Sequence, residues 1–167
     1  MNVQKTPVKN QYNKTSTNFD LLEIQEPVRW MGPFLNYSGF GGEMLNFLIP
    51  LLGRANVGAT QLNPAYYLKN YHRELPCDLR CEVDQLLARY NELSGGISIT
   101  HGSGDVVLGM PEDSEFRVLR TMFETDRIPA LWVELIKSVD EVWVPSKFNV
   151  ETFHRSGVPL EKLKVVP

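Results

Sequence analysis

Apolar and polar residues follow two periods that alternate along the chain. Short apolar runs predict β-strands at 28–31, 56–62, 97–100, 117–123, 141–144 and 162–166. Between them, apolar residues recur every three or four positions and predict helices at 43–52, 81–93, 129–137 and 145–154. The segment 63–76 fits neither period, so its structure is left open.

Strands and helices that alternate at this spacing are typical of parallel βαβ units. The predicted fold is therefore an α/β domain with a doubly wound, mainly parallel, Rossmann-like sheet. Ligands of such sheets bind in the crevice beyond the carboxyl ends of the strands. Candidate functional residues are accordingly sought in the loops that leave the predicted strands.

The two ends of the chain depart from this pattern. Residues 1–18 are polar, rich in Asn, Gln, Thr and Lys, and lack the apolar segment of a signal peptide. We predict a disordered leader over 1–25 and a domain over 26–167. The last residues, 163–167, predict a final strand with nothing after it to cover it, which favours a chain that continues. A C-terminal edge strand is the alternative.

The composition of the chain argues against several classes of binding partner and cofactor. The 167 residues carry a net charge of -3 without a basic cluster, which argues against nucleic-acid binding. The longest apolar stretch, 44–52, is far shorter than the roughly 20 residues of a membrane span. Two cysteines, Cys77 and Cys81, are too few for a disulfide framework, so we expect a cytoplasmic protein. With His72 they match no zinc spacing, and we predict neither a metal nor a bound cofactor.

A glycine-rich loop, Gly39-Phe40-Gly41-Gly42, lies between the first predicted strand and the helix after it. Glycines let a backbone approach a ligand, and the free amides of a helix N-terminus suit a diphosphate. The loop lacks the last small residue of the G-x-G-x-x-G dinucleotide fingerprint. A glycine-rich turn needed only for steric reasons is the alternative.

Two further loops leave predicted strand ends. His101 follows the strand at 97–100 and is followed by two glycines and an Asp, which favours a place in the crevice. Glu124 and Arg127 follow the strand at 117–123. Thr125 or Asp126 is predicted to cap the next helix, while Glu124 points to the crevice.

The second half of the domain resembles the group 1 (family 4) glycosyltransferases of the GT-B fold. The motifs that carry the resemblance are F-E-T-D-R-I-P at 123–129, D-E-V-W-V-P-S-K-F-N at 140–149, F-H-R-S-G-V at 153–158 and K-L-K-V-V-P at 162–167. The glycine-rich loop is similar to the first glycine-rich loop of that family. The resemblance covers about 28–167 and is weakest between 64 and 93.

The resemblance implies retaining transfer of a glycosyl group from a nucleotide-diphosphate sugar to a sugar or glycan acceptor. It implies that this chain is the N-terminal, acceptor-side domain, inactive alone, and that the donor-binding C-terminal domain is absent. It assigns the diphosphate side to Gly39, Phe40, Gly41 and Gly42. His101 and Glu124 are the implied catalytic residues that position hydroxyls.

Four residues take supporting roles in this assignment. They are Thr125, Arg127, Ser146 and Asn149. Many relatives carry a His where this chain has Glu124, so the role of that His does not transfer directly.

Two other functions remain open from the sequence. One is a non-catalytic single-domain module that binds a sugar or a partner subunit. The other is a small dinucleotide-binding domain, which the glycine-rich loop alone suggests; no acidic ribose-binding residue stands at the end of the second strand.

Overall fold

The computed structural model describes residues 24–62 and 69–167 of the chain. Six parallel strands form one sheet, and helices join them. The strands are β1 (Ile24–Gly32), β2 (Ala55–Gln61), β3 (Ile97–His101), β4 (Phe116–Arg120), β5 (Glu141–Val144) and β6 (Leu163–Val165). The helices are α1 (Gly39–Leu51), α2 (Lys69–Glu74), α3 (Cys77–Tyr90), α4 (Ala130–Ile136) and α5 (Lys147–Arg155), with 3-10 helices at Gly104–Gly109 and Leu160–Lys162. The predicted doubly wound, Rossmann-like α/β class is confirmed.

The strand order places a crevice between β1 and β3. The order is β2-β1-β3-β4-β5-β6, so the chain reverses its direction of travel between these two strands. At such a switch point the loops after the two neighbouring strands leave toward opposite sides and open a ligand crevice. The glycine-rich loop follows β1, and the His101 loop follows β3.

Two apolar clusters stabilise the sheet. The first joins β1 and β2 to α1 and α3, with Trp30, Met44 and Leu86 fully buried in it. The second joins β4, β5 and β6 to α5, with Val142 and Phe153 at its centre. Burial on this scale is the dominant favourable contribution to folding.

Local hydrogen bonds move several predicted boundaries. Ser38 Oγ accepts from the amide of Gly41 at 3.0 Å, so α1 begins at Gly39, four residues earlier than predicted. The predicted strand 117–123 is three residues too long at its end. The last paired residue of β4 is Arg120, opposite Trp143 of β5, and the chain beyond it continues as a loop.

The predicted cap of α4 is wrong. The helix starts at Ala130 with Pro129 as N-cap and no side-chain cap bond. Proline fixes its own φ and disfavours helical geometry in the residue before it, so neither Thr125 nor Asp126 is close enough to cap. Thr125 Oγ1 donates instead to the carbonyl of Arg127 at 3.1 Å, within its own turn.

The N-terminal boundary is also shifted. Because β1 begins at Ile24, two residues of the leader predicted over 1–25 belong to a strand. The rest of that prediction, 1–23, lies outside the described residues. No helix in the described part of the chain is long and apolar enough to cross a membrane.

Candidate functional site

Two adjoining cavities lie at the carboxyl ends of β1, β3 and β4. The first, which we call the glycine-loop cavity, has a volume of about 540 Å³. The second, the Glu124 cavity, has about 350 Å³. Phe40 and Ser103 line both, so the two form one cleft. Volumes of this size are typical of small-molecule sites.

The glycine-rich loop is the first turn of α1. The amide of Gly41 donates to Ser38 Oγ at 3.0 Å, and that of Gly42 donates to the carbonyl of Ser38 at 3.1 Å. Among the described residues, the amides of Gly39 and Phe40 have no hydrogen-bond partner. The donors free for an anion are therefore those of Gly39 and Phe40, not those of Gly41 and Gly42.

The glycines of this turn differ in how much space a Cβ atom would have. A Cβ on Gly41 would lie 2.7 Å from the carbonyl oxygen of Asn36 and 2.8 Å from that of Pro33. Gly39 and Gly42 have no atom within 4 Å of the corresponding position. Close packing explains Gly41, whereas Gly39 and Gly42 leave open space at the start of the helix.

His101 is the last residue of β3, and its side chain is fully buried. Its Nε2 lies 2.7 Å from Glu43 Oε2. The other carboxylate oxygen of Glu43 accepts from Arg120, the last residue of β4. Arg120 also donates to the carbonyl of Val166 and stacks on Phe47, with 5.4 Å from its guanidinium carbon to the ring centroid. Three charged or titratable groups thus join α1 to two central strands.

This network fixes the protonation of its members. Partial burial would raise the pKa of Glu43, but hydrogen bonds from His101 and Arg120 outweigh it and lower that pKa to about 2. Burial lowers the pKa of His101, although the hydrogen bond to Glu43 opposes the shift. We infer an ionised Glu43 and a neutral His101.

The tautomer of His101 follows from that assignment. An ionised carboxylate only accepts, so Nε2 carries the proton and donates to Glu43. Nδ1 is then an acceptor, and among the described residues it has no partner. His101 lines the glycine-loop cavity but is covered by protein, so it does not meet solvent there.

Glu43 and Arg120 were not among the predicted site residues. Glu43 was assigned only to the start of a helix, and its partners are 58 and 77 positions away. Arg120 did carry a signal, since an arginine inside a predicted apolar strand needs a paired acceptor when it is buried. The partner itself could not be deduced from spacing.

Glu124 lies on the outer side of the cleft and is exposed. Its loop is held from α5: Asn149 Nδ2 donates to the carbonyl of Phe123 at 2.6 Å, and Thr152 Oγ1 donates to that of Thr125 at 3.2 Å. Ser146 caps α5 by accepting from the amide of Asn149 at 3.3 Å. Ser146 and Asn149 thus lie behind the loop.

The structure separates the remaining predicted residues. Thr125 lines the Glu124 cavity, whereas Arg127 is exposed and lines neither cavity. His101 and Glu124 line different cavities of the cleft. Phe40 and Ser103 line both cavities and lie between them.

Within residues 24–62 and 69–167, no three His, Cys, Asp or Glu side chains are grouped so that they could hold a metal ion. Comparisons with protein-family models, with curated proteins and with solved structures found no match to this chain.

Proposed function

We propose that this chain is the N-terminal, acceptor-side domain of a retaining, nucleotide-sugar-dependent glycosyltransferase. The observation that carries the proposal is the cleft at the switch point of the sheet, with the start of α1 on one wall and Glu124 on the other. The resemblance of 123–167 to the group 1 glycosyltransferases names the reaction class. In this proposal the chain needs a donor-binding domain for activity.

The reaction requires the site to stabilise two developing charges of opposite sign. Glycosyl transfer develops positive charge on the sugar ring and negative charge on the leaving diphosphate. The free amides of Gly39 and Phe40 and the positive end of the α1 dipole favour the diphosphate. Glu124, exposed on the opposite wall, accepts hydrogen bonds from hydroxyl groups of the acceptor.

His101 takes a positioning role in this proposal. It is buried and bonded to Glu43, so it acts by holding α1 against the end of β3 rather than by contacting a sugar. This differs from the catalytic role that the resemblance implies for it.

Titration of the isotopically labelled chain with a nucleoside diphosphate, with simple sugars and with NAD(H) tests the proposal. We expect the diphosphate to shift the amide signals of Gly39 and Phe40, and sugars to shift those of 122–125. Tight binding of NAD(H) without a response to sugars would instead support a dinucleotide-binding domain.

A non-catalytic sugar- or partner-binding module is the second candidate. The burial of His101 favours it, because one of the two implied catalytic residues is then out of reach of substrate. The full-length gene product, assayed with a panel of nucleotide sugars, separates the two. Sugar binding without any transfer by that product would support the module.

A further inference from the structure

The side chains of the Glu124 cavity are rich in acceptors and aromatic rings and poor in hydrogen-bond donors. Its lining residues are Phe40, Ser103, Met122, Phe123, Glu124, Thr125 and Trp132. Of their side chains, only the two hydroxyls and the indole N–H can donate. Among residues 24–62 and 69–167, no lysine, arginine, asparagine or glutamine lines the cavity.

The aromatic side chains form a paired wall. Phe123 and Trp132 meet edge to face, with ring centroids 5.1 Å apart. Phe40, from the first turn of α1, lines the cavity as well. The faces of such rings carry partial negative charge and attract cations.

The charge that Glu124 brings to the lining has no ion-pair partner in the part of the chain that the structure describes. Glu124 takes part in none of the ion pairs between described residues. Arg127, the nearest cation in sequence, does not line the cavity. The anchoring of the carbonyls of Phe123 and Thr125 to α5 holds this carboxylate at the cavity without neutralising it.

We propose that the Glu124 cavity binds a protonated amino group, as carried by an amino sugar. An ammonium group has three donors and no acceptor, so a carboxylate and aromatic faces satisfy it. A neutral sugar presents hydroxyls that also need donors, and this cavity offers few. The sugar part of the ligand rests on the proposed function, whereas the ammonium part rests on the cavity alone.

The test compares three methyl glycosides that share one ring: the glucoside, the glucosaminide and the N-acetylglucosaminide. Each is titrated into the labelled 167-residue chain and followed by amide shifts at 122–125. We expect the cationic glucosaminide to bind about tenfold more tightly than the two neutral glycosides. In Glu124→Gln that preference is lost.

Asp126→Asn is the matched control, because Asp126 carries the same charge two residues away and does not line the cavity. It should keep the preference. A preference that survives in Glu124→Gln, or equal binding of the three glycosides, would overturn the inference and leave the proposed function intact.

Ethanolamine, which carries a protonated primary amine without a sugar ring, is the fourth probe and separates the two proposals. If ethanolamine shifts 122–125 and no glycoside does, the ammonium site stands and the sugar assignment fails. If neither ethanolamine nor any glycoside shifts these signals, the ammonium site is rejected together with the sugar assignment.

Discussion

Glu43 is the residue on which the centre of the molecule depends most. Its carboxylate is 31% exposed, yet it serves a fully buried histidine and a buried arginine at once. Each oxygen accepts from a different strand end, β3 through His101 and β4 through Arg120. Removing this charge leaves the buried guanidinium of Arg120 without a charged partner, which strongly destabilises a folded protein.

Glu43→Gln should therefore lower the free energy of unfolding by about 3 kcal/mol. The amide has one acceptor oxygen instead of two and cannot compensate the guanidinium. Chemical denaturation measures the change. Glu134→Gln removes a carboxylate from an exposed pair with Lys137 and should change stability by less than about 0.5 kcal/mol. Equal effects of the two variants would contradict the role given to Glu43.

The same network predicts that acid destabilises the fold. Burial lowers the pKa of His101. Below a pH of about 6.5 the unfolded state therefore binds more protons than the native state, and the free energy of unfolding decreases as the pH falls. The pKa of Glu43 is lowered from its ordinary value of 4.5 to about 2, so its contribution to stability is complete above pH 4.5 and is lost as the pH falls toward about 2.

Denaturation at a series of pH values checks this dependence. In Glu43→Gln the acid decline between about 4.5 and about 2 should become shallower, since that titrating group is gone. The Glu134→Gln control should retain the decline. An unchanged slope in Glu43→Gln would show that other carboxyl groups cause the acid sensitivity.

At the scale of elements, the first turn of α1 offers a matched pair of glycines. Gly41→Ala places a Cβ within 2.8 Å of the Pro33 carbonyl and should cost about 1–3 kcal/mol. Gly42→Ala meets open space inside a helix and should stabilise by up to about 1 kcal/mol. Thermal unfolding measures the melting temperature of both variants. Similar shifts in the two would argue against the close contact at Gly41.

The loop at 123–125 shows how one element positions another. It has no regular structure of its own, and α5 holds two of its carbonyls. Asn149→Ala should cost about 1–2 kcal/mol, because it leaves the Phe123 carbonyl without its partner. It should also weaken the glucosaminide preference, whereas Ser146→Ala should cost about 1 kcal/mol through the helix cap and leave the preference intact. An unaltered preference in Asn149→Ala would mean that α5 does not position Glu124.

At the scale of the whole molecule, one face of the sheet carries an apolar groove of about 430 Å³ beside α1. Its walls come from α1, from Arg54 and from β1, β3, β4 and β5, with Trp30, Phe47 and Trp143 among them. Parallel sheets are usually covered on both faces. Here Trp30 is buried, whereas Phe116 on the lining is 38% exposed, so part of the apolar lining stays accessible.

An apolar fluorescent dye should bind the native chain in this groove. Phe116 lies on its lining and is 38% exposed, so Phe116→Lys should reduce dye fluorescence at least about twofold without unfolding the chain. Leu131→Lys, at a 63% exposed position that does not line the groove, is the control. A larger loss in the control would place the dye elsewhere.

The sequence by itself determined the class of fold and the position of the cleft. Period two in short apolar runs and helical spacing between them follow from how strands and helices bury side chains, so the βαβ order could be deduced without a structure. Because parallel strands share a carboxyl edge, the glycine-rich loop, His101 and Glu124 were also expected at one edge. The boundaries were less certain, since the ends of β4 and α4 depend on what lies beside them.

Only the tertiary structure decided what the residues at that edge do. Glu43 meets His101 and Arg120 across 58 and 77 positions, and spacing along the chain says nothing about such pairs. The rings of Trp30, Phe40 and Phe47 pack around the buried His101. Hydrogen bonds from α5 hold 123–125 and leave Glu124 at a cavity. The pattern of apolar residues fixes which side of a strand or helix a residue occupies. Its burial, its pKa and its access to a ligand depend on the neighbours that folding brings together.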